Sequence, residues 1–187
     1  EHTDDVRRNG IARRDRRPEL SFDGLRVLDM TSFWAGPSCT HVLAQLGAEV
    51  IHVESTSRPD GTRLIAGVPI TEDQWWERSP IFSGLNTNKK SVTLNLGKPE
   101  AQDLVRQLVS HCDIAIENFS FGQLEKFNLG YEELKKAKPD LVFVTSSGLG
   151  RTGPFKRYVT YGPPLTAYTG LASLTGTRAG EPTLTVL

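Results

Sequence analysis

The segment RVLDMTSFWAGPSCTHVLAQLGAEVIHVE, Arg26 to Glu54, constrains the fold more than any other part of the chain. Its apolar start, RVLDM, reads as a buried strand. Gly36-Pro37 then opens a helix, with proline in the first turn, where a missing N–H costs nothing. Cys39, Val42, Leu43 and Leu46 recur at i, i+3, i+4 and i+7 and predict the buried stripe of that helix. Gly47 supplies a left-handed cap, and EVIHVE is the next strand. Two strands separated by a single helix pair in parallel through a right-handed crossover.

The alternation continues. Residues 55–86, with RPDGTR and TEDQWWERSP, exceed an ordinary connection, so they are functional, mobile or hold a short helix. KSVTLNL is a strand, and KPEAQDLVRQLVSH a helix whose stripe is Ala101, Leu104, Val105, Leu108 and Val109. CDIAIENF is a strand, and FGQLEKFNLGYEELKKAKP predicts one or two short helices. LVFVTSS is a strand followed by the glycine-rich GLGRTGPFKRYVTYGPP, and LTAYTGLASLTG predicts a last helix. The expected class is α/β, a doubly wound, mostly parallel, Rossmann-like sheet that binds ligands beyond the carboxyl ends of its strands. Residues 1–21 mix arginines and acids with few large apolar groups and read as a flexible charged arm or linker, leaving 22–187 as the folded domain. The chain begins at Glu1 and stops inside the apolar run GEPTLTVL, so it is expected to be part of a longer protein whose sheet is incomplete at its C-terminal side.

Several function classes drop out. Lys plus Arg number 22 and Asp plus Glu number 22, which argues against a general nucleic-acid or membrane-surface binder. No apolar run reaches the ~20 residues of a membrane span, and no signal-peptide core is seen. Cys39 and Cys112 lie among apolar residues and read as core positions in a reducing compartment, so the expected location is cytoplasmic. His2, His41, His52 and His111 have no metal-ligand spacing, and no metal is expected. GLGRTG matches G-x-G-x-x-G without a clear helix behind it, a weak dinucleotide signal. No catalytic residue is assigned: Asp29, Asp113 and Asp140 are in or beside strands and form no triad.

The positive signal lies in the loops. Trp34 and Ala35 follow the first strand; Asn86, Asn88, Lys89 and Lys90 precede the third; Asn95 to Lys98 follow it; Asn118 and Phe119 end the fourth. Lys98, Lys126, Lys156 and Arg157 add cations. On one rim, such aromatic faces, amides and cations suit a ligand with a flat ring and phosphates. A solvated basic surface with turn-capping asparagines is the competing reading.

GLRVLDMTSFWAGPSCTHVLAQLGAEVIHVE, NTNKKSVTLNL, ENF and GLGRTGP closely resemble, in order and spacing, the N-terminal part of the family III CoA-transferases, which include formyl-CoA and carnitine CoA-transferases with α-methylacyl-CoA racemase as a relative. The resemblance covers about Phe22 to Leu187 and implies coenzyme A or an acyl-CoA as substrate, with a small carboxylic acid as second partner. It implies that Trp34 and Ala35 flank the thioester, that Leu94, Asn95, Leu96 and Gly97 line adenine and ribose, with adjacent Lys98 serving for a lysine common at the Gly97 position, and that Asn118 and Phe119 form a CoA-contacting turn. Lys126 would meet phosphate, and Tyr161 belongs to a further CoA-contacting stretch. Ser55, Gly97 and the Tyr161-Gly162 pair depart from the family pattern, which implies reduced CoA affinity or an altered cation set.

The resemblance further implies covalent transfer through an aspartyl-CoA thioester, the aspartate lying beyond Leu187, and an interlocked homodimer for the full-length protein. The 187-residue chain alone is expected to lack activity. In the racemase branch a histidine stands where this chain has Tyr161, and a phenol is a poor base at neutral pH. A non-catalytic CoA-binding module and a nicotinamide dehydrogenase are the remaining alternatives.

Overall fold

The structure, a computed structural model, describes residues 21–176 and 180–181. The expected arm, apart from Ser21, and the apolar run beyond Glu181 lie outside the described residues. Five strands form one sheet: β1 (Arg26–Met30), β2 (Glu49–Glu54), β3 (Lys90–Thr93), β4 (Ile114–Glu117) and β5 (Val142–Thr145). Their order is β3-β2-β1-β4-β5, and every pairing is parallel. The α/β, doubly wound expectation is met, and all five carboxyl ends point to one edge. Helices α1 (Ala35–Gln45), α3 (Pro99–Val109), α4 (Gln123–Lys126) and α5 (Tyr131–Ala137) connect the strands, while α2 (Pro80–Asn86) lies in the long connection after β2.

Strand alternation divides the core in two. Leu28, Met30, Val53 and Ala115 face one side and pack with Val105 and Val109 of α3, Leu124 of α4 and Leu134 of α5. Val27, Val50 and Ile116 face the other side, against Ala44 in the last turn of α1 and Ala48 just before β2. Towards the carboxyl edge this second face turns polar, because Asp29, His52 and Glu54 continue the same alternation.

The expected stripe of α1 is corrected. Cys39 is exposed and Val42 is 54% exposed; Leu46 is exposed too, and only Leu43 packs partly on the core. The buried face is Gly36, Pro37, Thr40 and Ala44. Small residues let the helix lie close to the sheet, and Thr40 turns inward because its hydroxyl donates to the buried Asp29 carboxylate at 2.6 Å. Cys112 is buried as expected, and burial pushes its thiol up to about 11. In α3, Ala101, Val105 and Val109 are buried, but Leu104 is exposed; Gln102 is buried instead, its amide donating to Leu96 O at 3.0 Å.

The long connection is built rather than loose. It holds 3-10 turns at Gly61–Leu64 and Trp75–Glu77 before α2, which Ser79 caps by accepting from Phe82 N. The last expected helix splits into α6 (Gly162–Tyr168) and a 3-10 turn (Leu171–Leu174), divided by Gly170 at φ 79°. Among the described residues no helix is long and apolar enough to cross a membrane.

Candidate functional site

The turn between β1 and α1 is the best-defined feature of the carboxyl edge. Ser32 is held on both sides of its peptide by one side chain: Asn118 Oδ1 accepts from Ser32 N at 2.9 Å, and Asn118 Nδ2 donates to Ser32 O at 2.7 Å. Asn118 follows β4, so it ties two neighbouring strand ends together. Phe33 takes φ 66°, in the left-handed region, and donates its N–H to the Asp60 carboxylate. Gly36 lies so close to Thr31 that a Cβ there would stand 2.3 Å from the threonine Cβ. Helix α1 then starts without a side-chain cap and without an acid in its first turn. Trp34 is 43% exposed and Ala35 is exposed, leaving an open aromatic face beside an uncapped helix start.

Beneath this turn lies a buried polar layer. The register places Asp29 beside His52, with His52 Nδ1 3.3 Å from Asp29 Oδ2 and Nε2 3.9 Å from Glu54 Oε2. Lys89 Nζ donates to Asp29 Oδ2 at 3.0 Å, Asn86 Oδ1 at 2.8 Å and Pro37 O at 3.1 Å. Burial pushes the Asp29 carboxyl up, but His52, Lys89 and Thr31 together outweigh it and hold it well below the usual carboxylate range. Burial lowers the Lys89 ammonium, with Asp29 opposing the shift. Farther along, Glu54 receives Arg63 Nε and Nη2, both at 2.7 Å, and Arg63 lies 3.4 Å over the Phe82 ring. At the end of β4, burial raises Glu117 against the pull of Arg151, which bonds both Glu117 and Phe119 O.

The expected site residues divide accordingly. Trp34, Ala35, Leu94 to Lys98, Asn118 and Phe119 all follow strand ends on one edge. Tyr161 joins the β1 turn through an edge-on ring contact with Phe33 at 5.4 Å. The ends of β3 and β4 stand three strand spacings apart, roughly 14 Å, a span for an extended ligand rather than a compact one. Leu94, Leu96 and Phe119 pack their side chains on the core. Asn95 closes its own turn by accepting from Gly97 N, and exposed Lys98 precedes the first turn of α3. Lys126 stands exposed at the end of α4, and Lys156 and Arg157 approach the Phe121 ring.

One grouping is corrected: Asn86, Asn88, Lys89 and Lys90 lie at the amino end of β3, and Lys89 turns into the buried layer instead of the rim. GLGRTG is followed by turns and bends, without the helix a dinucleotide loop requires. Among the described residues no group of three or more His, Cys, Asp or Glu is placed to hold a metal ion.

Residues 22–187 match the family model of CoA-transferase family III. The chain belongs to that family. Among curated relatives, an acyl-CoA transferase of Fusarium pseudograminearum is 39% identical over 165 residues, covering 85% of this chain and 36% of the relative. A succinyl-CoA–D-citramalate CoA-transferase of Chloroflexus aurantiacus is also 39% identical, over 172 residues, covering 89% and 40%. The solved CAIB/BAIF family protein from Brucella suis superimposes with a TM-score of 0.78 at 36% identity, covering 88% of this chain and 43% of that one. The chain thus spans about two fifths of the length of these relatives.

For a family III CoA-transferase chain, the polar layer is what sequence reasoning missed. Its signal was visible: Asp29, His52 and Glu54 interrupt otherwise apolar strands, and a charged residue inside a buried strand needs a partner. Sequence spacing does not say that the partners arrive from residues 60–63 and from Lys89.

Proposed function

We propose that the protein containing this chain moves CoA from an acyl-CoA to a free carboxylic acid, and that this chain's carboxyl edge grips the CoA. The family match over residues 22–187 carries the reading. In it, Leu94 to Lys98 receive the adenosine end, Asn118 and Phe119 the middle, Lys126 a phosphate, and Trp34, Ala35 and Tyr161 the thioester end. The fit rests on the uncapped helix start, the exposed Trp34 face and the strand-end spacing.

The chemistry proposed is nucleophilic catalysis by a carboxylate. An aspartate beyond Leu187 attacks the acyl carbonyl, forming a mixed anhydride and releasing CoA thiolate. The thiolate then attacks the aspartyl carbonyl, giving enzyme-bound thioester and the free donor acid. The acceptor carboxylate displaces the thiolate again, and thiolate attack on the acceptor carbonyl restores the aspartate. None of the aspartates of the buried layer fits this part: Asp29 is fully enclosed, and Asp60 already accepts from Phe33 and Thr62. Tyr161 in place of the racemase histidine favours transfer over racemisation. A cytoplasmic homodimer belongs to the same proposal.

The test uses the full-length protein with succinyl-CoA and a panel of dicarboxylic acids, reading new acyl-CoA by chromatography. Transfer to at least one acid is expected, together with a CoA adduct on an aspartate in quenched protein. No transfer for any pair sinks the transferase reading; transfer without an adduct sinks only its covalent step.

A further inference from the structure

The long connection after β2 crosses directly beneath the β1–α1 turn. Asp60 within it is buried, and both its carboxylate oxygens accept from Phe33 N, at 3.2 and 3.0 Å. Oδ1 also accepts from Thr62 N and Thr62 Oγ1, each at 2.7 Å. Phe33 needs such an anchor, because φ 66° is unfavourable for a bulky L-residue. Asp60 is itself anchored: its N–H donates to Glu54 Oε1 at 2.7 Å, and Glu54 is clamped by Arg63. Gly61 completes the fit, since a Cβ there would meet the Phe33 ring at 2.5 Å.

We propose that Asp60 is a positioning residue for CoA transfer: it holds Phe33 in the left-handed conformation and so aims the Trp34–Ala35 backbone at the thioester. This rests on the function proposed above, although the anchoring of the turn does not. Asp60 acts through Phe33 and touches no substrate. A carboxylate suits the site because the Phe33 N–H is shared between both oxygens while Thr62 donates to Oδ1. An amide offers one acceptor oxygen and turns an NH2 towards one of those donors.

The experiment compares full-length Asp60→Ala and Asp60→Asn with Ser79→Ala. Ser79 Oγ lies 2.7 Å from Thr62 O and 2.8 Å from Ile65 O, so its loss loosens the same connection without touching the turn. Amide hydrogen exchange over residues 31–36 is read beside steady-state kinetics. In Asp60→Ala, exchange at 31–36 rises while 26–30 stay protected, and kcat falls roughly 100-fold with KM for acyl-CoA changed by less than about threefold. Asp60→Asn, which keeps one acceptor, loses roughly 10-fold in kcat and carries the test if the alanine variant does not fold. Ser79→Ala melts earlier with kcat unchanged.

Unchanged exchange at 31–36 in the Asp60 variants, or kinetics matching Ser79→Ala, overturns the proposal. If wild-type protein transfers no CoA, the functional reading fails alone, and the exchange data still decide whether Asp60 holds the turn.

Discussion

Asp29 is fully buried, yet Thr31, Thr40, His52 and Lys89 all reach its carboxylate. A carboxylate so surrounded stabilises the fold as long as its donors remain. Lys89 is the donor whose loss matters most, because it brings a full charge. Lys89→Met is expected to cost about 3–5 kcal/mol at neutral pH, the usual penalty for leaving a buried charge without its partner. Its sign with pH follows from the depressed Asp29. In the wild type the stabilisation is fully present above the unfolded aspartate range and is lost as pH falls through the lower folded value. With Lys89 gone that depression shrinks, so the gap between variant and wild type narrows below about pH 4. Urea unfolding at neutral and acid pH measures it; a gap constant with pH would mean that Lys89 contributes packing alone.

At the scale of elements, α1 shows both what the sequence reveals and what it hides. Its start at Gly36-Pro37 and its end before Gly47 were legible because proline and glycine act locally. The strand order of β1, β2 and β4 around it was not, since pairing depends on contacts distant in sequence. Its buried face was misread for a physical reason. Apolar periodicity finds the face richest in large side chains, whereas this helix buries the face with the smallest ones, Gly36, Pro37, Thr40 and Ala44. Close approach and the Thr40–Asp29 bond decide its rotation. That Trp34, Ala35, Asn118 and Phe119 follow strand ends was legible from the β-α-β rhythm alone. The Asp60–Phe33 contact was not, because Asp60 reaches the turn across the sheet edge from the connection after β2. A pair of variants in the 187-residue chain tests the rotation. Val42→Lys is expected to change unfolding free energy by less than about 0.5 kcal/mol, as at an ordinary surface position. Ala44→Leu is expected to cost about 1–3 kcal/mol by overpacking against the sheet. Denaturant midpoints in the reverse order would restore the large-residue stripe as the buried face.

Across the whole molecule, the helices cover the sheet unevenly. On the side of α3, α4 and α5 the strands are sealed by Val105, Leu124 and Leu134. On the other side α1 reaches β1, β2 and β4, and α2 with its preceding turns closes the polar layer beside β2. Nothing among the described residues seals β5 there. The register pairs Val142 with Ile114 and Val144 with Ile116, so both valines look towards the α1 side, where they remain 56% and 38% exposed. β5 is also a sheet edge, with one strand neighbour among the described residues. Apolar side chains beside unpaired edge groups form a template for another chain. The 187-residue chain is therefore expected to self-associate, its weight-average mass rising with concentration in sedimentation. Val142→Thr with Val144→Thr keeps strand propensity while removing apolar surface, and is expected to shift association to higher concentration. The outcome separates two origins of assembly. If the double variant associates as the parent does, the contact lies elsewhere, with exposed Val42 and Leu46 of α1 the next surface to test. If the parent is monomeric at every concentration, the open side of β5 does not drive association.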